Sequence, residues 1–285
     1  MPASASPTIR RRELGARLRV LRKARGWTVD QVARQLDFSA SKVSRLETGA
    51  RGVSPPDIRA LCDLYGVSGE LRAELTSLAA EGKQHPWWQP LSLALTPYVE
   101  LESAATTIHD YALMVMPGLL QTADYARAVV AATPQRWTRK QVELHVQGRL
   151  LRQELLLRPD APTYEVILDE APLHRVVGGP AVMAGQLRRL LEASHMAKVE
   201  IRLISFDAGP LPAGNSKFII LRFAQPGLHT QVYIEGLTED VFIENDKEVA
   251  VYQRTFTALR DMALSPSKTR SALQAMIHRY EAMHR

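Results

Sequence analysis

Signals that begin or end a helix recur at short intervals through the first quarter of the sequence. Leu14, Leu18 and Leu21 are spaced as on one face of a helix, which predicts a first helix over residues 10–25. Gly26 is the residue type that commonly follows a helix end. This part of the chain is therefore constrained to short helices separated by tight turns.

Thr28 and Gln31 supply the next start signal, because a threonine and a glutamine three residues apart can form a capping box. They predict a second helix through about Leu36. Asp37 tolerates the left-handed backbone that a tight turn often needs, and Ser39 is a good cap for a third helix. Two short helices joined by such a turn are typical of a helix-turn-helix, whose second helix enters the major groove of double-stranded DNA.

Positive charge is concentrated in the same part of the chain. Residues 1–67 hold 13 Lys and Arg and 6 Asp and Glu, so they carry +7, whereas the whole chain carries +6 and the remainder −1. Contacts that neutralise DNA phosphates need such a concentration of charge. A solvated basic helix face would carry the same charge without binding DNA, but the helix pattern favours the DNA-binding interpretation.

The spacing of these residues over positions 9–67 closely resembles the lambda-repressor-like, or XRE, helix-turn-helix family. Its most specific part is the Val-Ser-Arg-Leu-Glu-Thr-Gly ending at residues 43–49. The resemblance implies that residues 39–48 form the recognition helix. On that basis we expect DNA contacts from Thr28, Gln31, Ser39, Ala40, Ser41, Lys42, Ser44, Arg45 and Arg51.

Ser41 and Arg45 would face the base edges within this set. The planar guanidinium of an arginine can bond to guanine O6 and N7 together, so Arg45 is the stronger candidate for reading sequence. Ala40 could touch a thymine methyl, while Lys42 and Ser44 are assigned to phosphates or to the rim of the groove.

Three other positions bear on the resemblance. Glu47 matches a family position that pairs with a basic residue late in the first helix, which here is Arg22. Val29 stands where the family usually has a glutamine that touches DNA. That contact is therefore lost, or moved to Thr28 or Gln31.

The rest of the chain predicts an α+β fold. Residues 81–86 break the helical pattern, which gives an all-α domain over residues 1–80 and a regulatory or dimerisation domain over residues 81–285. The second domain is expected to begin with a helical segment over residues 96–158 and to continue as a mixed α+β region around an antiparallel sheet. The β-branched runs predict strands at residues 163–168, 199–204, 216–223 and 231–234, and helical periodicity predicts helices at residues 179–195, 246–264 and 265–283.

A second resemblance covers residues 87–264. It is carried by residues 117–122, 125–127, 149, 152–153, 169–173, 176–179 and 186–187. These segments are similar to the domain that follows the helix-turn-helix in the WhiJ-like regulators of actinobacteria. The resemblance implies a domain of no settled chemistry, controlled by a small companion protein that is encoded nearby.

Composition and motifs disfavour several other classes of function. Cys62 is the single cysteine, so no intrachain disulfide can form, and we expect the protein to be cytoplasmic. No apolar run approaches the roughly 18 residues of a membrane span, so no membrane partner is expected. No metal-ligand, dinucleotide or phosphate-loop motif occurs, so we expect no cofactor and no enzymatic activity.

Three groups of residues could nevertheless suggest catalysis. His109 with Asp110, and Asp169 and Glu170 with His174, are better interpreted as helix-surface or capping arrangements. Self-cleavage between residues 213 and 214, with the nearby Ser216 as nucleophile, is disfavoured because the segment reads as an ordinary loop between strands.

Two roles remain open for the second domain. One is a platform for dimerisation and for a protein partner, and the other is a pocket for a small effector. The effector pocket would be lined by Trp87, Trp88, Tyr98, Tyr111 and Tyr125. As a whole, the sequence predicts a transcriptional regulator that binds an inverted-repeat operator as a homodimer, and the rival class is an interaction adaptor without specific DNA binding.

Overall fold

The computed structural model describes residues 7–83, 97–133, 137–225 and 228–284. The chain divides into two compact units. The first unit contains the described residues 7–83, 97–104, 223–225 and 228–229, and the second contains those of 105–222 and 230–284. Trp87 and Trp88, which were predicted to line an effector pocket, lie outside the described residues. The predicted division into residues 1–80 and 81–285 stays a prediction.

The first unit is helical throughout its described regular structure. Its helices are α1 (Pro7–Ala24), α2 (Val29–Leu36), α3 (Ala40–Glu47), α4 (Pro55–Leu64), α5 (Gly69–Glu81) and α6 (Pro97–Ala104). Leu18 of α1, Val32 of α2 and Leu46 of α3 belong to one buried apolar cluster, which Leu61 and Leu75 continue into α4 and α5. Because α2 and α3, with 8 residues each, are too short to be stable alone, this shared core holds them in place.

The second unit combines one sheet with helices. Its elements are β1 (Thr107–Ala112), α7 (Ala123–Ala131), α8 (Arg139–Gln153), β2 (Thr163–Asp169), α9 (Ala171–His174), α10 (Pro180–Ala193), β3 (Val199–Ile204), β4 (Phe218–Arg222), β5 (Gln231–Ile234), β6 (Val241–Ile243), α11 (Asp246–Met262) and α12 (Pro266–His284). Among the described residues the sheet is six-stranded, in the order β3-β2-β1-β4-β5-β6. The prediction of an α+β fold is confirmed.

The sheet is mixed, which corrects the expectation of an antiparallel one. Strand β1 pairs in parallel with β2, and β2 pairs in parallel with β3. The pairings of β1 with β4, β4 with β5 and β5 with β6 are antiparallel. Helices α7 and α8 lie between β1 and β2 in sequence, and α10 lies between β2 and β3, as parallel crossovers require.

Two strands were not predicted. Residues 107–112 were expected to be helical but form β1, a central strand that pairs on both sides, with Asp110 opposite Val166 of β2 and Ile219 of β4. The three-residue edge strand β6 was also missed. The four strands that the β-branched runs predict are all present, and their bounds agree within about two residues.

Candidate nucleic-acid interface

Helix α3 has one face open to solvent and the opposite face buried. The open face, which we call the α3 stripe, consists of Ser41, Ser44, Arg45 and the C-cap residue Thr48. Its members recur three or four residues apart, so they lie on one side of the helix. Val43, Leu46 and Glu47 form the buried face. The residues predicted to read bases, Ser41 and Arg45, therefore lie together and outward.

Caps and one left-handed residue set the turn between α2 and α3. The Thr28 hydroxyl accepts from the Gln31 backbone N–H, and the Gln31 side chain accepts from the Thr28 N–H, so the predicted capping box is confirmed. Asp37 adopts φ 54°, the left-handed conformation expected of the turn. The Ser39 hydroxyl then caps α3 by accepting from the Lys42 N–H at 3.0 Å.

Arg22 and Glu47 form a buried ion pair between α1 and α3. The guanidinium donates from Nε to Oε1 at 2.6 Å and from Nη2 to Oε2 at 2.8 Å, and its Nη1 donates to the Trp27 carbonyl at 2.7 Å. The hydrogen bond to Glu47 raises the pKa of Arg22 against the opposing effect of burial. The pair that the resemblance implied is thus present, and it fixes the buried face of α3 against α1.

Close packing adds to the contact between α1 and α3 at Gly15. A Cβ atom on Gly15 would lie 2.6 Å from the backbone oxygens of both Leu46 and Glu47. Such a distance is far inside van der Waals contact, so only glycine permits the observed approach of the two helices. The sequence pattern contained no indication of this constraint.

Lys42 is occupied within the unit, although it was predicted to contact phosphate or the groove rim. Its Nζ lies 2.7 Å from Oδ1 of Asp57 on α4 and 3.3 Å from the centroid of the Phe38 ring. Burial acts to raise the pKa of Asp57, but the hydrogen bonds from Lys42 and Ser54 prevail and lower it. In this arrangement Lys42 ties α3 to α4, and its phosphate contact stays a prediction.

The other predicted contact residues lie at the surface. Ala40 is exposed at the first position of α3, and Arg51 is exposed in the segment that follows it, with its backbone N–H donating to the Arg45 carbonyl. Val29, in place of the expected glutamine, is half-buried and packs against the apolar core. Thr48 was not predicted to contact DNA. It lies seven residues after Ser41, a spacing that would have placed it on the same helix face.

Eleven of the thirteen basic residues at positions 7–67 fall into two groups. Arg10, Arg17, Arg22 and Lys42 are paired with carboxylates. Among the described residues of positions 7–67, the exposed basic side chains without an acidic partner are Arg19, Lys23, Arg25, Arg34, Arg45, Arg51 and Arg59. These seven supply the positive surface that binding to a polyanion requires.

The second unit contains the histidines that the sequence singled out. His109 and Asp110 lie on β1, which corrects their interpretation as helix-surface or capping groups. His109 stacks on Phe256 with ring centroids 4.6 Å apart, and burial, with the charges of Arg222 and Arg260, lowers its pKa to about 4. Asp110 accepts a hydrogen bond from the Tyr164 hydroxyl at 2.9 Å.

The second carboxylate and histidine group has a structural role. Asp169 accepts from the N–H of Ala171, the first residue of α9, at 2.8 Å. Glu170 contacts His174 one turn further on, at 3.0 Å, and accepts from the Phe206 N–H at 2.8 Å. The contact between Glu170 and His174, four residues apart, agrees with the predicted helix-surface or capping arrangement. No group of three or more His, Cys, Asp or Glu that could hold a metal ion is found in the part of the chain that the structure describes.

The aromatic residues predicted to line an effector pocket are core residues where they are described. Tyr111 and Tyr125 are fully buried, and the Tyr125 hydroxyl accepts from the Met116 N–H at 3.2 Å. In the first unit, Tyr98 is buried and donates to Glu102 at 2.6 Å. Burial places all three rings in the core, and the effector pocket stays a prediction. The segment around Ser216 is an exposed turn, as predicted, and Lys217 beside it is bound to Glu235.

Comparison with known families gives two matches. Residues 13–75 match a helix-turn-helix domain, which indicates a DNA-binding regulator. Residues 95–275 match the family described as Domain of unknown function (DUF5753). Because that match spans more than half of the chain, the protein belongs to this family. No curated protein and no solved structure matches the chain. None of the helices within the described ranges is long and apolar enough to cross a membrane.

Proposed function

We propose that the protein is a transcriptional regulator that binds a specific sequence of double-stranded DNA by placing the α3 stripe in the major groove. The observation that carries the proposal is the composition of that stripe. Ser41, Ser44, Arg45 and Thr48 all carry side-chain hydrogen-bonding groups, and they project from a helix whose opposite face is locked into the core. A rigid helix with an open polar face is what base recognition in the groove requires.

Arg45 is the residue to which we assign sequence reading. Its side chain is exposed, and Nε donates only to the Ser41 carbonyl on its own helix at 3.3 Å. The two Nη groups are therefore available for a guanine. Ser41 and Ser44 would bond to neighbouring bases or the groove rim, and Ala40 would contact a thymine methyl.

Thr28 and Gln31 have a more limited part in this proposal. Their oxygens are engaged in the capping box, so the groups left for DNA are the amide N–H donors of Gln31 and the hydroxyl proton of Thr28. Ser39 is likewise engaged as a cap. We assign these three to phosphate contacts, along with Arg51, because hydroxyl, amide and guanidinium donors all bind phosphate oxygens.

The finer assignment follows from the two resemblances. We propose that the protein is an XRE-type regulator of the WhiJ-like actinobacterial group, acts in the cytoplasm, and binds an inverted repeat as a homodimer. A small companion protein encoded nearby would control it through the second unit. We assign it no catalytic role. Two recognition helices in successive major grooves would require half-sites about 34 Å apart.

Selection of binding sites from a pool of random duplexes tests the proposal. The full-length protein is expected to enrich an inverted repeat whose half-site centres are one helical turn, about 10 base pairs, apart. Sedimentation of the protein on the selected duplex should give two chains per site. Enrichment of no sequence would favour the rival class, an adaptor without specific DNA binding. Genome-wide immunoprecipitation with the neighbouring gene deleted and then restored tests control by the companion protein.

A further inference from the structure

Helix α8 in the second unit carries an arginine on its inward face. Val142, Val146, Arg149 and Gln153 are spaced by four, three and four residues, so they lie on one side of the helix. Val142, Val146 and Gln153 are buried, and Arg149, which lies between the last two, is half-buried. Such an inward position normally holds an apolar residue.

Arg149 has no carboxylate partner within ion-pair distance and makes no hydrogen bond among the described residues. Its nitrogens are not among the enclosed polar atoms, so solvent still reaches them. The carboxylate of Glu235 acts on Arg149 only through space, and burial together with the charge of Arg152 still opposes the charged guanidinium. A bound anion would supply the missing negative charge and replace the solvent at the guanidinium.

A second guanidinium lies near Arg149 on α8, and the charges of both arginines reach the carboxylate that Lys217 contacts. Arg152 is one turn further along α8, and a Cβ atom on Gly118 would lie 3.5 Å from its Nη2. Lys217 contacts Glu235 at 2.8 Å, and the charge of Lys217, aided by Arg149 and Arg152, lowers the pKa of Glu235. Burial and the neighbouring charge of Arg152 lower the pKa of Arg149. Three cations thus surround one carboxylate.

Hydrogen bonds fix the part of α8 that carries the arginines. Gln153, next to Arg152 on α8, donates from Nε2 to the Gln121 carbonyl at 2.6 Å and also contacts the Gly118 carbonyl at 3.4 Å. The Gln121 side chain donates in turn to the Met116 carbonyl at 2.8 Å. These bonds fasten α8 to residues 116–121, so the backbone that carries the arginines is held in place before any ligand binds.

We propose that Arg149, Arg152 and Lys217 form the cationic end of a binding site for a small molecule that carries a phosphate or carboxylate group. The planar guanidinium of Arg149 can bond both oxygens of such a group, and Arg152 adds positive charge beside it. Glu235, held ionised by its neighbours, would accept a hydroxyl or amine from the same ligand. This inference concerns the second unit only and does not depend on DNA binding.

Thermal unfolding of the full chain with inorganic phosphate, pyrophosphate, citrate or chloride at one ionic strength tests the site. At least one oxyanion should raise the unfolding temperature of the wild type saturably, and chloride should not. A response to phosphate and pyrophosphate identifies a phosphorylated ligand, and a response to citrate identifies a carboxylate. The absence of any oxyanion effect beyond that of chloride would overturn the proposal.

Two variants of Arg149 and one control complete the test. Arg149→Gln should lose the anion response and, since burial and Arg152 outweigh the through-space attraction of Arg149 to Glu235, should unfold no earlier than the wild type without anion. Arg149→Lys keeps the charge but loses the planar guanidinium. Binding of the anion should therefore weaken at least about tenfold, as for one lost charge-assisted hydrogen bond. Arg139→Gln, at the exposed start of α8, should respond like the wild type. A destabilised Arg149→Gln, or an unchanged anion response in either Arg149 variant, would contradict the proposal.

Discussion

The buried pair of Arg22 and Glu47 predicts a large loss of stability when one partner is removed. Their side chains are 10% and 6% exposed, so in Glu47→Ala the guanidinium would remain buried without its counter-charge. Breaking a buried pair in this way costs about 3–5 kcal/mol. Because Nη1 of Arg22 keeps its bond to the Trp27 carbonyl, we expect the lower end, about 3 kcal/mol.

Hydrogen exchange measured by mass spectrometry on the full chain locates this effect. In Glu47→Ala the amides of α1 and α3 should exchange faster, by the factor that corresponds to a loss of about 3 kcal/mol. The exchange rates of the amides in the sheet should not change. Glu74→Ala is the matched control, because its carboxylate pairs with Arg17 at 2.8 Å but is 49% exposed, and its loss should cost less than about 1 kcal/mol. Replacing both partners, as in Arg22→Met with Glu47→Leu, should recover much of the loss. A Glu47→Ala effect no larger than that of the control would refute the reasoning.

Two further predictions concern packing and pH. Gly15→Ala should destabilise the first unit by about 1–3 kcal/mol in urea unfolding, because the added Cβ would collide with the backbone of α3. This cost should exceed the gain from alanine as the better helix former. A stabilised variant would contradict the packing of α1 against α3. The pKa of His109 is lowered from 6.5 to about 4, so the unfolded chain takes up a proton at a higher pH than the folded chain. The contribution of His109 to the free energy of unfolding, about 3 kcal/mol, is therefore present above pH 6.5 and is lost as the pH falls towards 4. His109→Gln should flatten the dependence of unfolding free energy on pH across that window, and an unchanged slope would show that His109 does not titrate as the structure implies.

Local signals account for what the sequence predicted correctly. The capping box at Thr28, the left-handed Asp37 and the cap at Ser39 each act within four residues, so they could be read before the fold was known. The pairing of Arg22 with Glu47 spans 25 residues and was inferred only through the family resemblance. The close approach at Gly15 has no sequence signal, because it depends on where α3 crosses α1.

Strand β1 shows why part of the second unit was not predicted. It carries His109 and Asp110 among apolar residues, so it lacks the β-branched run that marks the other main strands. Its place in the sheet comes from pairing with residues about 55 positions later on β2 and more than 100 later on β4. Register of that kind depends on tertiary contacts, and local propensity does not determine it.

Arg149 illustrates a signal that was available but not used. The valines and leucines of this helix suggest an apolar face that includes Leu150, yet Leu150 is 39% exposed, while Arg149 lies on the packed side. The spacing of Val142, Val146 and Gln153 would have indicated that face. An arginine on a buried helical face deserves to be tested as a ligand-binding residue.

The most direct test of DNA reading by α3 is a titration of Arg45→Ala against the selected duplex and against its single-base variants. We expect the substitution to weaken specific binding by about 1–3 kcal/mol and to abolish the preference at one base pair in each half-site. Arg59→Ala, which removes an exposed charge from α4, should leave every base preference unchanged. If Arg45→Ala retains the wild-type affinity and base preference, α3 does not read the DNA and the proposed interface is wrong.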